Sequence, residues 1–335
     1  MIYLFFYLCL LIFFSFLLIK STEILITALN HLSKSSRLSK FGLTSFIIAL
    51  ATSLPEFFVG ITAALEKKPN LALGNILGAN IANISLVVGG AALIGGSLGI
   101  VGDFFLKDIF YVFLAGCLPL VMLIDSRLSR VEGLFLLTVY GIYNVTVLKG
   151  KSEGIKGISM RKVLRRLNHT QTDKQIGWIF FGTALLIFSA DGIVKIASFF
   201  AQKFKVPLVM IGLFLVAIGT TLPELSFNIT AVRKKQVAMV FGNLLGSIVA
   251  NSTLILGVTA LISPIVLDGG FKVYLWASLA FVIIFFTFWF FVRSKKKLER
   301  WEGVLLILFY LAFIFFEFWL IKARPSEAFY AAPLK

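Results

Sequence analysis

Charge is what this sequence has least of. Only 14% of its 335 residues are Asp, Glu, Lys or Arg, while 59% are hydrophobic. A soluble domain carries roughly 25% charged residues, so a water-soluble globular protein is excluded. Acidic residues are the scarcer sign, 16 against 32 Lys and Arg. The two cysteines, Cys9 and Cys117, lie in separate apolar runs without zinc or redox spacing, which leaves them as buried or lipid-facing thiols. Two histidines cannot build a metal-histidine cluster, and no nucleophile–base pair stands out, so the chain is not read as an enzyme. No ATP site is evident either. The first apolar run, residues 2–19, lacks a basic leader region and a small-residue cleavage site; it is expected to stay as a first helix.

What the sequence has is long apolar runs. A membrane span needs about 20 apolar residues, and on that rule ten helices are expected, at 2–30, 42–65, 70–95, 107–124, 130–148, 176–202, 207–232, 237–262, 272–293 and 302–322. The fold class is an all-α polytopic membrane protein. The net charge of +16 could suggest nucleic acid, but the cations sit in the short connections. Lys34, Arg37 and Lys40, Lys107, the run from Lys149 to Lys174, Arg233 to Lys235, and Arg293 to Arg300 all fall in odd-numbered connections. Even-numbered ones are much poorer, for example Lys67 and Lys68, or Arg127 and Arg130. The positive-inside rule makes the richer side cytoplasmic. Both termini are then extracellular or periplasmic, and the basic linker 149–175 is cytoplasmic. The lipid bilayer, not nucleic acid, is the partner.

The sequence also repeats itself. Shifted by 168 residues, "TSLPEFFVGITAALEKK" falls on "TTLPELSFNITAVRKKQ", and "GNILGANIANISLVVGGAALI" on "GNLLGSIVANSTLILGVTALI". The match pairs Thr52 with Thr220, Pro55 with Pro223, Glu56 with Glu224, Asn75 with Asn243 and Asn83 with Asn251. Each copy, 1–148 and 176–325, holds five helices. Five is odd, so the second copy enters the membrane inverted, and the binding site of such a repeat lies near the midplane.

Glu56 and Glu224 fall within about two turns of the middle of their helices. A carboxylate at that depth should face the interior with a partner. Lys195, the nearest candidate cation, stands four residues after Asp191 and is expected to pair with it. Glu23, which aligns with Asp191, falls near a helix end and is read as interfacial. The two glutamates therefore need an external cation or protons. Ala49, Thr52, Ser53 and Glu56 share one helix face, as do Ala217, Thr220, Thr221 and Glu224. Asn75, Ala79 and Asn83 form a stripe on the partner helix, and Asn243, Ser247 and Asn251 form the matching one. Pro55 and Pro223 each free a carbonyl about four residues earlier, on Ala51 and Gly219, where the helix is expected to open toward an ion. Carboxylates, amides, hydroxyls and carbonyls are hard oxygen donors, suited to calcium or sodium and not to zinc or copper.

With "ATSLPE" and "GNILGANIAN" in one copy and "GTTLPE" and "GNLLGSIVAN" in the other, the chain resembles the calcium/cation antiporter superfamily, most closely its sodium/calcium exchanger branch. The resemblance covers nearly the whole chain. It implies that Glu56 and Glu224 bridge calcium and that Thr52 and Thr220 offer backbone carbonyls to it. It implies flanking sodium ligands at Ser53, Thr221, Ser247 and the carbonyls of Ala49 and Ala217, with Asn83 and Asn251 central. Ala51 stands where that motif usually has Gly, Ala79 where a serine is expected, and Asn251 where Asp is frequent. The implied function is calcium/sodium antiport across the plasma membrane by alternating access, with the pair of helices at 2–30 and 176–202 moving against the rest. A proton/calcium exchanger and a cation channel on the same repeats stay open as alternatives. Calcium and sodium, or protons, are transported species, and no cofactor is implied.

Overall fold

The computed structural model describes residues 2–35, 52–99, 104–150, 169–267 and 270–323. Nearly all of them are helical, in ten stretches: α1 Ile2–Ser35, α2 Leu54–Leu65, α3 Pro69–Gly95, α4 Phe104–Met122, α5 Arg130–Gly150, α6 His169–Phe204, α7 Leu208–Arg233, α8 Val237–Ile262, α9 Lys272–Lys295 and α10 Arg300–Ala323. Eight of these are long and apolar enough to cross a membrane; α2 and α5 are not among the eight. The first half of the span expected at 42–65 lies outside the described residues, as does most of the basic linker. The outer faces carry large apolar side chains such as Phe5, Phe13, Phe180 and Phe315. Such a surface suits hydrocarbon, where every backbone polar group must be satisfied inside its own helix.

Two apolar cores form. One joins α1 and α6 to the near sides of α2, α3 and α7 through Leu18, Leu25, Val59, Leu71, Leu186 and Val194. The larger one holds α3, α4, α5, α8, α9 and α10 together around Phe281, Phe285 and Phe288. Tyr7 stacks on Phe199, Phe14 lies against Gly192, and Leu25 against Gly182. Rising numbers on α1 thus meet falling numbers on α6, so the two helices run antiparallel.

The two halves exchange contacts reciprocally. β1 Ser97–Gly99 pairs antiparallel with β4 Lys297–Glu299, and β2 Arg127–Leu128 pairs with β3 Ile265–Val266. A Cβ on Gly89 would lie 2.6 Å from the Gly303 carbonyl oxygen, and one on Gly133 would lie 2.8 Å from that of Gly257. These two crossings, α3 on α10 and α5 on α8, bring backbones together where only glycine leaves room. Another such crossing, of Gly74 and Gly78 on the Val209 and Leu213 carbonyls and of Gly212 on that of Leu71, seats α3 against α7.

Three helices contain a π-helical stretch: Asn83–Val87 in α3, Gly212–Val216 in α7 and Ala250–Ile255 in α8. Such bulges are rare and gather at functional sites. They correct one expectation. The helix was to open near Pro223, yet α7 continues through that proline as regular helix from Ala217 to Arg233. The irregularity sits upstream at Gly212–Val216. Thr221 returns its hydroxyl to the Ala217 and Ile218 carbonyls (2.9 and 3.2 Å), so the turn before the proline stays bonded. In α2 Ser53 holds the N-cap position at φ −84°, ψ 6° without a side-chain cap bond, with the proline in the first turn; Ala51, where the opening was expected, lies outside the described residues.

Candidate cation site

Glu56 and Glu224 are completely buried, and none of their four carboxylate oxygens has a hydrogen-bond partner among the described residues. Burying a carboxylate alone costs several kcal/mol or more, so these side chains are built to meet something the protein does not itself supply. Among the described residues no lysine or arginine is paired with them. Lys195 is bound to Asp191 at 2.7 Å and Lys20 to Glu23 at 2.7 Å, both pairs lying exposed on α6 and α1. Among the described residues no three His, Cys, Asp or Glu side chains gather, so the donors are two carboxylates and neutral oxygens. That set suits a hard cation.

The neutral donors converge from four helices. Thr52, just before α2, donates its hydroxyl to Asn243 Oδ1 of α8 at 2.8 Å. Thr220 of α7 donates to Asn75 Oδ1 of α3 at 3.1 Å and also reaches the Ala217 carbonyl at 3.3 Å. Ser53, Thr52, Thr221, Asn83, Asn251 and Ser247 are all buried. Ser53 Oγ, Ser247 Oγ, Asn83 Nδ2 and Asn251 Oδ1 have no partner among the described residues. Buried polar atoms are normally bonded, so these orphans and the two orphan carboxylates make a candidate site. Ala217 lies against Gly78, and its carbonyl is already taken by the two threonine hydroxyls. Ala49 and Ala51 lie outside the described residues. Ala79 is fully buried and brings no hydroxyl opposite to that of Ser247.

The structure adds polar residues that the repeat did not suggest. Asn251 Nδ2 donates to Asn80 Oδ1 at 3.0 Å, and Asn80 Nδ2 donates to Ser252 Oγ at 2.8 Å. Asn243 Nδ2 donates to Asn228 Oδ1 at 3.3 Å. Asn80, Ser252 and Asn228 align with Ile248, Ile84 and Gly60. Comparing the copies for identities passes over them, although a polar residue facing an apolar mate was itself a usable signal.

Residues 6–149 and 174–319 match the family described as sodium/calcium exchanger protein. The chain belongs to the sodium/calcium exchanger family. It is 27% identical over 342 residues to the sodium/calcium exchanger MaX1 of Methanosarcina acetivorans, covering 89% of this chain and 94% of that one. It is 28% identical over 315 residues to the inner membrane protein YrbG of Escherichia coli, covering 91% and 94%. Among solved structures it resembles the sodium-calcium exchanger NCX_Mj, with a TM-score of 0.65 at 26% identity over 92% of this chain and 97% of that one. It also shares the fold of the H+/Ca2+ exchanger CAX, with a TM-score of 0.72 at 17% identity over 95% and 88%. As a member of this exchanger family the chain is a multi-pass membrane antiporter of the cation/calcium class and not an enzyme.

Proposed function

We propose that this exchanger carries calcium in one direction against sodium in the other, using Glu56 and Glu224 as the shared binding carboxylates. The observation that carries the reading is the pair of fully buried carboxylates without a hydrogen-bond partner among the described residues, framed by Thr52 on Asn243 and Thr220 on Asn75. The backbone carbonyls of Thr52 and Thr220, the side chains of Ser53, Thr221, Ser247, Asn83 and Asn251, and the Ala49 carbonyl supply the neutral oxygens; the Ala217 carbonyl joins them when the Thr220 and Thr221 hydroxyls release it. The two carboxylates carry about −2 when ionised. One calcium or two monovalent cations neutralise them, and an empty site resists burial in a low dielectric. Only loaded states then cross, which makes transport an exchange.

The architecture we infer is ten transmembrane helices in two inverted five-helix repeats, 1–148 and 176–325, joined by the basic linker 149–175. The antiparallel α1–α6 pair and the reciprocal β1–β4 and β2–β3 pairings support it. So does the smaller apolar core, which seats α1 and α6 together on the near sides of α2, α3 and α7 and suits a two-helix unit sliding on the rest. In this reading the protein sits in the plasma membrane with both termini outside and the linker inside.

One observation favours a second reading. Ala79 removes a hydroxyl that Ser247 keeps in the other copy, and two carboxylates with fewer sodium oxygens suit two protons as the counter-ions. Calcium-45 uptake into proteoliposomes separates the readings. Uptake driven by an outward sodium gradient at equal pH supports sodium exchange. Uptake driven only by a pH gradient supports proton exchange, and saturable calcium flux without any counter-ion supports a channel.

A further inference from the structure

The two diagonals of the site differ in length. On one, Thr52 donates to Asn243 Oδ1 at 2.8 Å, and Asn243 Nδ2 continues to Asn228 Oδ1 at 3.3 Å. On the other, Thr220 donates to Asn75 Oδ1 at 3.1 Å, and the path stops: Asn75 Nδ2 has no partner among the described residues. The reason is in the sequence. Asn228 aligns with Gly60, so no side chain stands where Asn75 would find its own amide. The surroundings fit the difference. A Cβ on Gly60 would come within 2.9 Å of Ile255 Cγ2 and 3.2 Å of Thr259 Oγ1. In the other copy those two positions hold the smaller Val87 and Ala91.

Asn228 is 1% exposed and stands one turn after Glu224 on α7. Thr52 stands one turn before Glu56 on the α2 side. The chain of amides therefore ties the turn ahead of Glu56 to the helix that bears Glu224, through α8. A divalent ion shared by both carboxylates needs those two segments at one spacing. Two monovalent ions can each settle on one carboxylate and are less demanding. We propose that Asn228 is a positioning residue that favours calcium over monovalent cations by fixing Thr52 through Asn243. The proposal rests on the reading of Glu56 and Glu224 as the calcium carboxylates.

The test is calcium binding to purified protein by titration calorimetry, with sodium competition and calcium-45 exchange in proteoliposomes. Asn228→Ala should raise half-saturating calcium about fivefold, the net worth of one buried hydrogen bond. Sodium competition should shift by less than about twofold, since the carboxylate oxygens are intact. Asn228→Ser, one bond too short to hold the Asn243 amide, should give the same shift and serves if the alanine variant does not fold. Asn228→Ala should couple non-additively with Asn243→Ala and add simply with Asn75→Ala. Unchanged calcium affinity, equal weakening of calcium and sodium, or additivity with Asn243→Ala would each overturn the proposal while wild-type calcium binding stands. Absence of calcium binding by the wild type would overturn both this proposal and the functional reading beneath it.

Discussion

Thr52 donates its hydroxyl to the side-chain oxygen of Asn243 across 191 positions of sequence, at 2.8 Å. The repeat counterparts do the same in reverse, Thr220 on Asn75. Each half thus closes the other's threonine, so the site exists only where the two copies meet. A carboxylate follows each threonine by one helical turn, which places Glu56 and Glu224 at this shared seam.

The two carboxylates are expected to be jointly necessary. Glu56→Gln or Glu224→Gln keeps the shape and removes one charge from a calcium-bridging pair, a loss of about 3 kcal/mol or more. Half-saturating calcium should rise on the order of 100-fold, and exchange should fall to background in the double variant. Robust calcium-45 exchange by folded Glu56→Gln, Glu224→Gln protein would show that the ion binds elsewhere.

Ala79 and Ser247 make the site unequal toward sodium. Ala79→Ser should restore a hydroxyl and steepen the sodium dependence of calcium flux or lower half-saturating sodium. Ser247→Ala should do the opposite. Each change should be a few-fold, about the worth of one hydrogen-bonding oxygen. If Ala79→Ser alters neither quantity in well-folded protein, the hydroxyl is irrelevant and proton coupling gains ground.

The Gly89–Gly303 and Gly133–Gly257 crossings should be sensitive to size. A valine at Gly89 must push α10 away from a backbone oxygen that lies 2.6 Å from the new Cβ. A cost of about 1–3 kcal/mol is typical of such overpacking. Gly141→Val, where nothing lies within 4 Å of an added Cβ, is the control. Thermal melting in detergent should show a lower midpoint for Gly89→Val and Gly133→Val and little change for the control.

Sidedness follows the cations. An impermeant thiol reagent applied to intact cells should label Ser326→Cys in the C-terminal tail and spare Ser152→Cys in the basic linker, each in a Cys9→Ser, Cys117→Ser background. The opposite pattern would reverse the proposed orientation.

Much of this protein is legible in its sequence because hydrocarbon imposes simple rules. Long apolar runs must be helices, and "LPE" at residues 54 and 222 sets a carboxylate inside an apolar run in each copy. Ungapped pairing by 168 residues singles out Glu56 with Glu224 and Asn75, Asn83, Asn243 and Asn251, all of which are buried in the fold. Tertiary structure alone decided the rest. Thr52 meets Asn243 and not Asn75 because the helices cross between copies, and no sequence offset records which neighbour a side chain will face. Asn80, Ser252 and Asn228 join the site through hydrogen bonds that form only once α3, α7 and α8 are packed. Irregularity in α7 falls at Gly212 and not at Pro223. Losing one backbone bond at Pro223 does not interrupt the helix, whereas the π stretch begins at Gly212, which lies against the Leu71 carbonyl of α3.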